Sequence, residues 1–178
     1  MIEDVAPGVM ADERAARYLR IVRDLGPAVR RLALTYERDD GRRQDLEQDI
    51  WLALWQALPR FRGECSERTF VFRLAHNRGV SHAHRWRIRK TEELEASAPV
   101  ASGADPERTL ADRQRREHLQ RAIRQLPLGL RQAIVLGLEG LSHREIAEVL
   151  GITEGNVAVR LTRARAALAG ALRADGEG

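Results

Sequence analysis

Cysteine is nearly absent from this chain, and Cys65 is the only one. A single thiol excludes an internal disulfide and fits a reducing compartment. Aromatic residues are scarce, at 4%, while charged residues make up 31%. That balance suits small helical domains better than one large core. At 178 residues the chain is long enough for one medium domain or two small ones. No apolar run approaches the length that crosses a bilayer. The N-terminus, MIEDVAPGVMADERAARYL, is acidic and has no apolar core of signal-peptide length. The expectation is a soluble cytoplasmic protein without membrane insertion. No internal repeat is visible. Cys65, His76, His82 and His84 follow no usual zinc spacing and lack a second thiol, so no metal is expected.

What the chain does have is charge, unevenly spread. Net charge is +4, from 30 basic and 26 acidic residues. Residues 60–90 hold 9 basic and 2 acidic side chains, whereas residues 91–107 hold 5 acids and no base. Residues 108–139 are basic again. Two basic segments with an acidic stretch between them imply two separate contacts with a polyanion.

The most informative stretch is LSHREIAEVLGITEGNVAVRLTRARAAL, residues 141–168. Ser142 and Glu145 have the spacing of a capping box. Ile146, Val149 and Leu150 give the helix that follows one apolar face. Gly151 suits the left-handed position that ends a helix, with Ile152 as a buried plug. Thr153 can cap a second helix, and Glu154 in its first turn favours the helix dipole. Val157, Leu161, Ala164 and Leu168 form the inward stripe of that helix. Gly155, Val159, Thr162, Arg163 and Ala166 lie opposite. Asn156 and Ala158 flank them, and Arg160 and Arg165 stand further round. From Gly155 to Arg173 there are four arginines and no acid. Small residues and arginines on an exposed face suit a helix that enters the major groove. Arginines alone would fit an ordinary solvated hairpin equally well. Capping box, glycine turn, second cap and all-basic face together favour DNA.

Taken in order, residues 1–11 read as a loose tail, and Asp12 as the cap of a first helix. In that helix Ala15, Leu19, Val22, Ala28 and Leu32 recur. Pro27 either starts a second segment or kinks one long helix. Asp39-Asp40-Gly41 reads as a turn, and Asp45 as the start of the next helix. That helix turns Leu46, Ile50, Ala53, Leu54, Ala57 and Leu58 inward. Its far face carries Gln48, Leu52, Trp55 and Gln56. Leucine and tryptophan there fit a protein-binding surface or packing under a neighbouring helix of the same domain. Residues 59–67 form a loop with Phe61 and Arg62. Residues 69–88 read as a helix with Phe70, Leu74, Ala75 and Val80 inward. The rest of that helix is basic, with Arg73, His76, Asn77 and Arg78 in its middle. A basic helix near aromatics can hold phosphates and stack unpaired bases, or simply be solvated. Residues 91–111 read as a flexible acidic linker. Residues 112–126 and 128–138 read as helices separated by Pro127, and residues 175–178 as a frayed tail.

Two stretches now carry a resemblance. LPLGLRQAIVLGLEGLSHREIAEVLGITEGNVAVRLTRARAAL, residues 126–168, resembles the promoter-upstream-binding domain of the extracytoplasmic-function sigma factors. DLEQDIWLALWQALPRFRGECSERTFVFRLAHNRGVSHAHRWRIRK, residues 45–90, resembles their core-binding and promoter-melting domain. Together the two stretches cover about half the chain, and nearly all of it with their flanking helices.

The resemblance implies an all-α protein of two small helical domains, the C-terminal one a helix-turn-helix. Residues 12–90 would be sigma region 2, 91–111 the linker and 112–174 sigma region 4. It implies an alternative sigma factor that binds core RNA polymerase, recognises minus-35 and minus-10 elements and assists melting. Such proteins need no cofactor and have no catalytic centre. Their partners are core polymerase, promoter DNA and often an anti-sigma protein. Carried over by position, Gln48, Leu52, Trp55 and Gln56 would contact polymerase. Phe61, Arg62, Thr69, Arg73, His76 and Asn77 would contact the minus-10 element. Gly155, Asn156, Ala158, Val159, Arg160, Thr162, Arg163 and Arg165 would contact the minus-35 element. The linker would thread the polymerase towards the RNA exit path. The family often has tryptophan at Phe70, a polar residue such as aspartate at Ser81, and lysine or arginine at Ala158. The competing reading is a dimeric helix-turn-helix regulator that binds an operator. A third is an interaction protein whose basic patches bind acidic protein.

Overall fold

The computed structural model describes residues 7–92 and 110–174, and every regular element among them is helical. The helices are α1 (Pro7–Ala33), α2 (Asp40–Ala57), α3 (Glu67–Glu92), α4 (Leu110–Gln125), α5 (Leu128–Leu138), α6 (His143–Leu150) and α7 (Glu154–Ala174). A single 3-10 turn, Leu58–Arg60, follows α2. Most of the linker expected over 91–111 lies outside the described residues, as do residues 1–6 and 175–178, read above as tails.

Helix α1 begins at Pro7, so Asp12 lies inside it rather than at its cap. Proline is preorganised for a first helical position, where its missing N–H costs nothing. Pro27 neither restarts nor divides α1. It sits exposed, while Ala28, Val29 and Leu32 beside it are buried and hold the helix to the core. Leu19, expected inward, is exposed, and Ile21 is buried in its stead.

Helix α2 also starts earlier than expected. The Asp39 carboxylate accepts a hydrogen bond from the Arg42 N–H at 2.9 Å and caps a helix that opens at Asp40 rather than Asp45. The apparent turn at Asp39-Asp40-Gly41 is therefore a helix start. The added turn brings the buried Arg43 beside Asp40 and Glu47. In α3 the buried stripe is Val71, Phe72, Ala75, Gly79 and His82, whereas Val80 is 46% exposed. Gly79 is where α3 passes closest to the α1–α2 connection: a Cβ there would overlap the Tyr36 ring.

Leu46, Ile50 and Leu54 of α2 meet Ile21, Val29 and Leu32 of α1 and Val71 and Phe72 of α3 in the first half of the core. Leu136, Ile146, Val149, Val157, Leu161 and Ala164 fill the second half, among α4–α7. The halves also pack on each other, α6 against α3 and α5 against α1. That contact includes polar pairs. Arg31 donates to Glu139 at 2.9 Å, Arg73 to Glu148 at 3.0 Å and Arg131 to the Thr35 carbonyl at 3.1 Å.

Candidate nucleic-acid interface

The helix-turn-helix forms as its residues dictate. Ser142 Oγ accepts the Glu145 N–H at 3.3 Å, and the Glu145 carboxylate accepts the Ser142 N–H at 2.9 Å. These bonds hold the Glu145 carboxyl below the usual glutamate range, the Ser142 N–H contributing most. Helix α6 then buries Ile146, Ala147, Val149 and Leu150. Gly151 adopts φ 65° and ψ 37°, the left-handed conformation that glycine takes without steric cost. The Ile152 N–H returns to the Ala147 carbonyl at 3.1 Å, and the Ile152 side chain packs on the core. Thr153 Oγ1 accepts the Asn156 N–H at 3.2 Å and caps α7.

One buried stripe then separates the faces of α7. Val157, Leu161, Ala164 and Leu168 are buried. Gly155, Asn156, Thr162, Arg163 and Arg165 are exposed, and Val159 is 49% exposed. Ala158 and Arg160 are half-buried at the flank. Arg160 Nε donates to Asn156 Oδ1 at 3.0 Å, and its guanidinium lies over Gly129 at the start of α5. Thr162 Oγ1 donates to the Ala158 carbonyl at 2.9 Å, so its hydrogen is spent within the helix. Valine, threonine and a free arginine on one ridge provide apolar and bidentate contacts to base edges.

The second region lies on α3 and the loop before it. Phe70, Arg73, Leu74, Asn77, Arg78 and Ser81 line a shallow groove of about 280 Å³. Phe61 stands beside it, its ring 4.7 Å from that of Phe70, with the Arg17 guanidinium 5.2 Å from the Phe61 ring. Arg62 and Asn77 are exposed. Thr69 is not: it is 1% exposed, bonded to Ser66 Oγ and donating to Glu145 Oε1 at 3.2 Å. His76 is half-buried, its Nδ1 accepting the Tyr36 hydroxyl at 2.6 Å. Burial lowers the His76 pKa and favours this neutral acceptor. Of the six residues expected to share one surface, the structure brings Phe61 and Arg73 to the groove, with Asn77 in its lining. It turns Thr69 and His76 inward. Arg78 and Ser81 join the lining unassigned by sequence reasoning. Their signal was available: residues 70, 74, 77, 78 and 81 repeat at helical spacing.

On α2, Leu52 is 57% exposed, and Gln48 and Gln56 are exposed beside it. Trp55 is half-buried. The Tyr18 ring meets it edge-on at 5.2 Å, and the Arg14 guanidinium sits 3.9 Å from its ring centre. Packing under a neighbouring helix therefore holds for Trp55, which α1 covers, while Leu52 stays open. Behind it, Glu37 joins Arg42 at 3.0 Å and His82 at 3.2 Å. Burial opposes its ionisation, but the Asp39 N–H, Arg42 and His82 outweigh burial and lower its pKa. The two histidines thus have protein partners, and no group of metal-ligating side chains occurs among the described residues. No helix among them is long and apolar enough to cross a membrane.

The chain is similar to known proteins over both halves. The family model described as Sigma-70 region 2 matches residues 21–88, and that described as Sigma-70, region 4 matches residues 116–168. The ECF RNA polymerase sigma-E factor of Escherichia coli K12 is 32% identical over 134 residues, 70% of each chain. The RNA polymerase sigma-H factor of Pseudomonas aeruginosa is 30% identical over 153 residues, 80% of this chain and 79% of that one. Among solved structures, CnrH in complex with the cytosolic domain of CnrY superposes with a TM-score of 0.64 at 26% identity, over 94% of this chain and 97% of CnrH. The Bartonella quintana sigma factor RpoE, in complex with the anti-sigma factor NepR, superposes at 0.67 over 89% of this chain and 98% of RpoE. At 23% identity that likeness concerns the fold.

Proposed function

The chain belongs to the extracytoplasmic-function sigma factors of the sigma-70 family, and from that premise we propose how its surfaces divide the work of initiation. It is an alternative sigma factor: it binds core RNA polymerase and directs promoter-specific transcription. Factors of this family are not enzymes, and the polymerase supplies the chemistry. Residues 12–90 act as region 2 and residues 112–174 as region 4, joined by the acidic linker 91–111. The protein works in the cytoplasm, with an anti-sigma protein as a further partner. CnrH and Bartonella quintana RpoE, its structural likenesses, are both described in complexes, RpoE with an anti-sigma factor.

Helix α7 reads the minus-35 element from the major groove. Val159 offers an apolar surface to a thymine methyl, and Arg163 can give two hydrogen bonds to a guanine edge. Arg160 and Arg165 clamp the flanking phosphates, Arg160 steadied by Asn156. Gly155 and Ala158 keep the approach close. On region 2, the α3 groove follows the minus-10 strand, with Phe61 as the stacking face and Asn77 as the base-edge group. Arg62 and Arg73 neutralise phosphates, and Thr69 and His76, turned inward in the free protein, contact the same strand through hydrogen bonds once exposed. Leu52, with Gln48, Gln56 and the uncovered edge of Trp55, docks on the polymerase.

The observation that carries this reading is the coexistence of an exposed, acid-free face on α7 with a basic aromatic groove on α3. A dimeric regulator would carry a dimerisation or effector domain in place of that groove. The test is transcription reconstituted from this chain, core polymerase and a genomic promoter library. Promoters sharing a two-part element are expected. Replacing Phe61 and Asn77 together by Ala should slow opening of duplex promoter, and a premelted template should restore activity. Binding of a palindromic operator without polymerase, and no stimulation of core, would overturn the assignment.

A further inference from the structure

The connection between α2 and α3 carries Phe61 but has little packing of its own. Arg62, Gly63, Glu64 and Ser66 are exposed, and Cys65 is only half-buried. Gly63 turns the chain at φ 76°. Ser66 Oγ accepts the Thr69 N–H at 3.0 Å and orders the start of α3. The remaining restraint comes from α1. Arg17 donates through Nε to Glu67 Oε1 at 2.8 Å, across 50 positions of sequence. The same guanidinium lies 5.2 Å from the centre of the Phe61 ring, which also meets the Phe70 ring at 4.7 Å. One side chain of α1 thus touches both ends of the loop, Phe61 where it begins and Glu67 where α3 begins. Arg20, one turn further along α1, makes a second ion pair to Glu67 at 3.0 Å. Glu67 lies in the first turn of α3, where a carboxylate is favoured by the helix dipole.

A ring on an unpacked loop samples many orientations, and a base that stacks on it must first order ring and loop. Held between a guanidinium and a second ring, Phe61 is ordered before a strand arrives. From this geometry we infer that Arg17 is a positioning residue for promoter opening. It bridges Phe61 to Glu67 and holds the stacking face ready for an unpaired base. The inference rests on the assignment of Phe61 as the stacking face for the minus-10 strand, and deepens it by naming the group that sets the ring. Arginine suits this position because a planar guanidinium can lie against a ring while its Nε–H faces a carboxylate. Arg17 acts through Phe61, so its contribution should vanish when Phe61 is absent.

The test is a double-mutant cycle in holoenzyme, assembled from the full chain and core polymerase on a promoter selected from the genomic library. Arg17→Ala, Phe61→Ala and the two together are compared with wild type. Arg23→Ala removes an exposed arginine of α1 that pairs only with its neighbour Asp24, and controls for charge. Fluorescence of 2-aminopurine in the minus-10 element reads the opening rate, and a gel-shift titration at low temperature reads closed-complex affinity. A core-binding titration verifies docking. Arg17→Ala should slow opening about 3- to 10-fold, the loss of one exposed ion pair and one cation–π contact that order the loop. Closed-complex affinity should stay at the level of the Arg23→Ala control, which a general loss of structure would not allow. In the Phe61→Ala background the same change should slow opening no further. Opening by Arg17→Ala at the control rate would overturn the inference. So would losses that add in the double variant, and a salt slope lowered by about one would then make Arg17 a phosphate clamp. If Phe61→Ala alone opens duplex at the wild-type rate, the stacking assignment itself falls, and the inference with it. Should Arg17→Ala fail to fold, Arg17→Gln, which keeps most of the side-chain stem without the charge, carries the same cycle.

Discussion

Arg160 and Arg163 stand three residues apart on α7, yet their surroundings separate them. Arg160 is half-buried, bonded to Asn156 and laid over Gly129; Arg163 is exposed, with no partner among the described residues. A side chain already held beside the helix suits a fixed phosphate, and a free one can reach a base edge. Arg163→Ala should cost about 1–3 kcal/mol and relax preference at one or two base pairs of the minus-35 element. Arg160→Ala should weaken all promoters alike and lower the salt slope by about one. Binding to a minus-35 substitution panel at two salt concentrations checks both. Loss from Arg163→Ala spread evenly over every base would exchange the two roles. Gly79 is a residue of another sort, set by space rather than ligand. Alanine there must displace the Tyr36 ring, so despite its better helix propensity Gly79→Ala should destabilise by about 1–3 kcal/mol in a urea titration. A gain in stability would mean that Tyr36 moves aside freely.

Among the elements, α2 separates a packed inner side from an open outer one. Its inner side is packed, its ends are capped and paired, and Leu52 projects from the outer side. Leu52→Asp should therefore leave the unfolding midpoint nearly unchanged while weakening core polymerase about tenfold or more, since burying a leucine contributes about 1.5–3 kcal/mol. A fluorescence titration with core decides it, and full affinity would remove α2 from the interface. Trp55→Ala is a poorer probe because it also strips the ring from Tyr18 and Arg14. How much of this was legible in the sequence varies by element. Helices α5, α6 and α7 were readable almost to the residue, because their boundaries are chemical: Pro127, the Ser142–Glu145 box, Gly151 and Thr153. Helix α2 was read five residues late because Asp39, Asp40 and Asp45 are all plausible caps, and only the Arg42 N–H shows which one caps. In α3 the apolar count misled. Val80 looks like core, but the stripe that packs includes Gly79 and His82, a glycine and a histidine chosen by the closeness of Tyr36 and Glu37. The contact between Glu148 and Arg73 joins residues 75 positions apart, and no local pattern can register it.

Over the whole molecule the two halves are joined by a second seam, distinct from the Arg31–Glu139 and Arg73–Glu148 pairs, and it carries a pH dependence. Gln132 of α5 donates to the Tyr36 hydroxyl at 3.3 Å, and Tyr36 donates in turn to Nδ1 of His76 on α3 at 2.6 Å. Burial pushes the Tyr36 phenol well up, so it stays a donor across the accessible range. The chain of bonds needs neutral His76, and burial of that ring lowers its pKa below the ordinary histidine value of 6.5. As pH falls, the unfolded chain therefore takes up a proton at His76 before the folded one does. The stability this residue contributes is full above about pH 6.5 and is lost as pH falls from there towards the lower folded-state value. Once protonated, Nδ1 becomes a donor facing a hydroxyl that already accepts from Gln132, and the seam loses its acceptor. Thermal unfolding followed from about pH 7.5 to about pH 5.5 should show the midpoint falling, with most of the fall below about pH 6.5. His76→Gln keeps an acceptor but cannot titrate, so its melting curve should shift less over the same interval. If wild type and His76→Gln lose stability in parallel, the acid sensitivity arises elsewhere, and the Glu37–His82 pair behind α2 would be the next group to substitute.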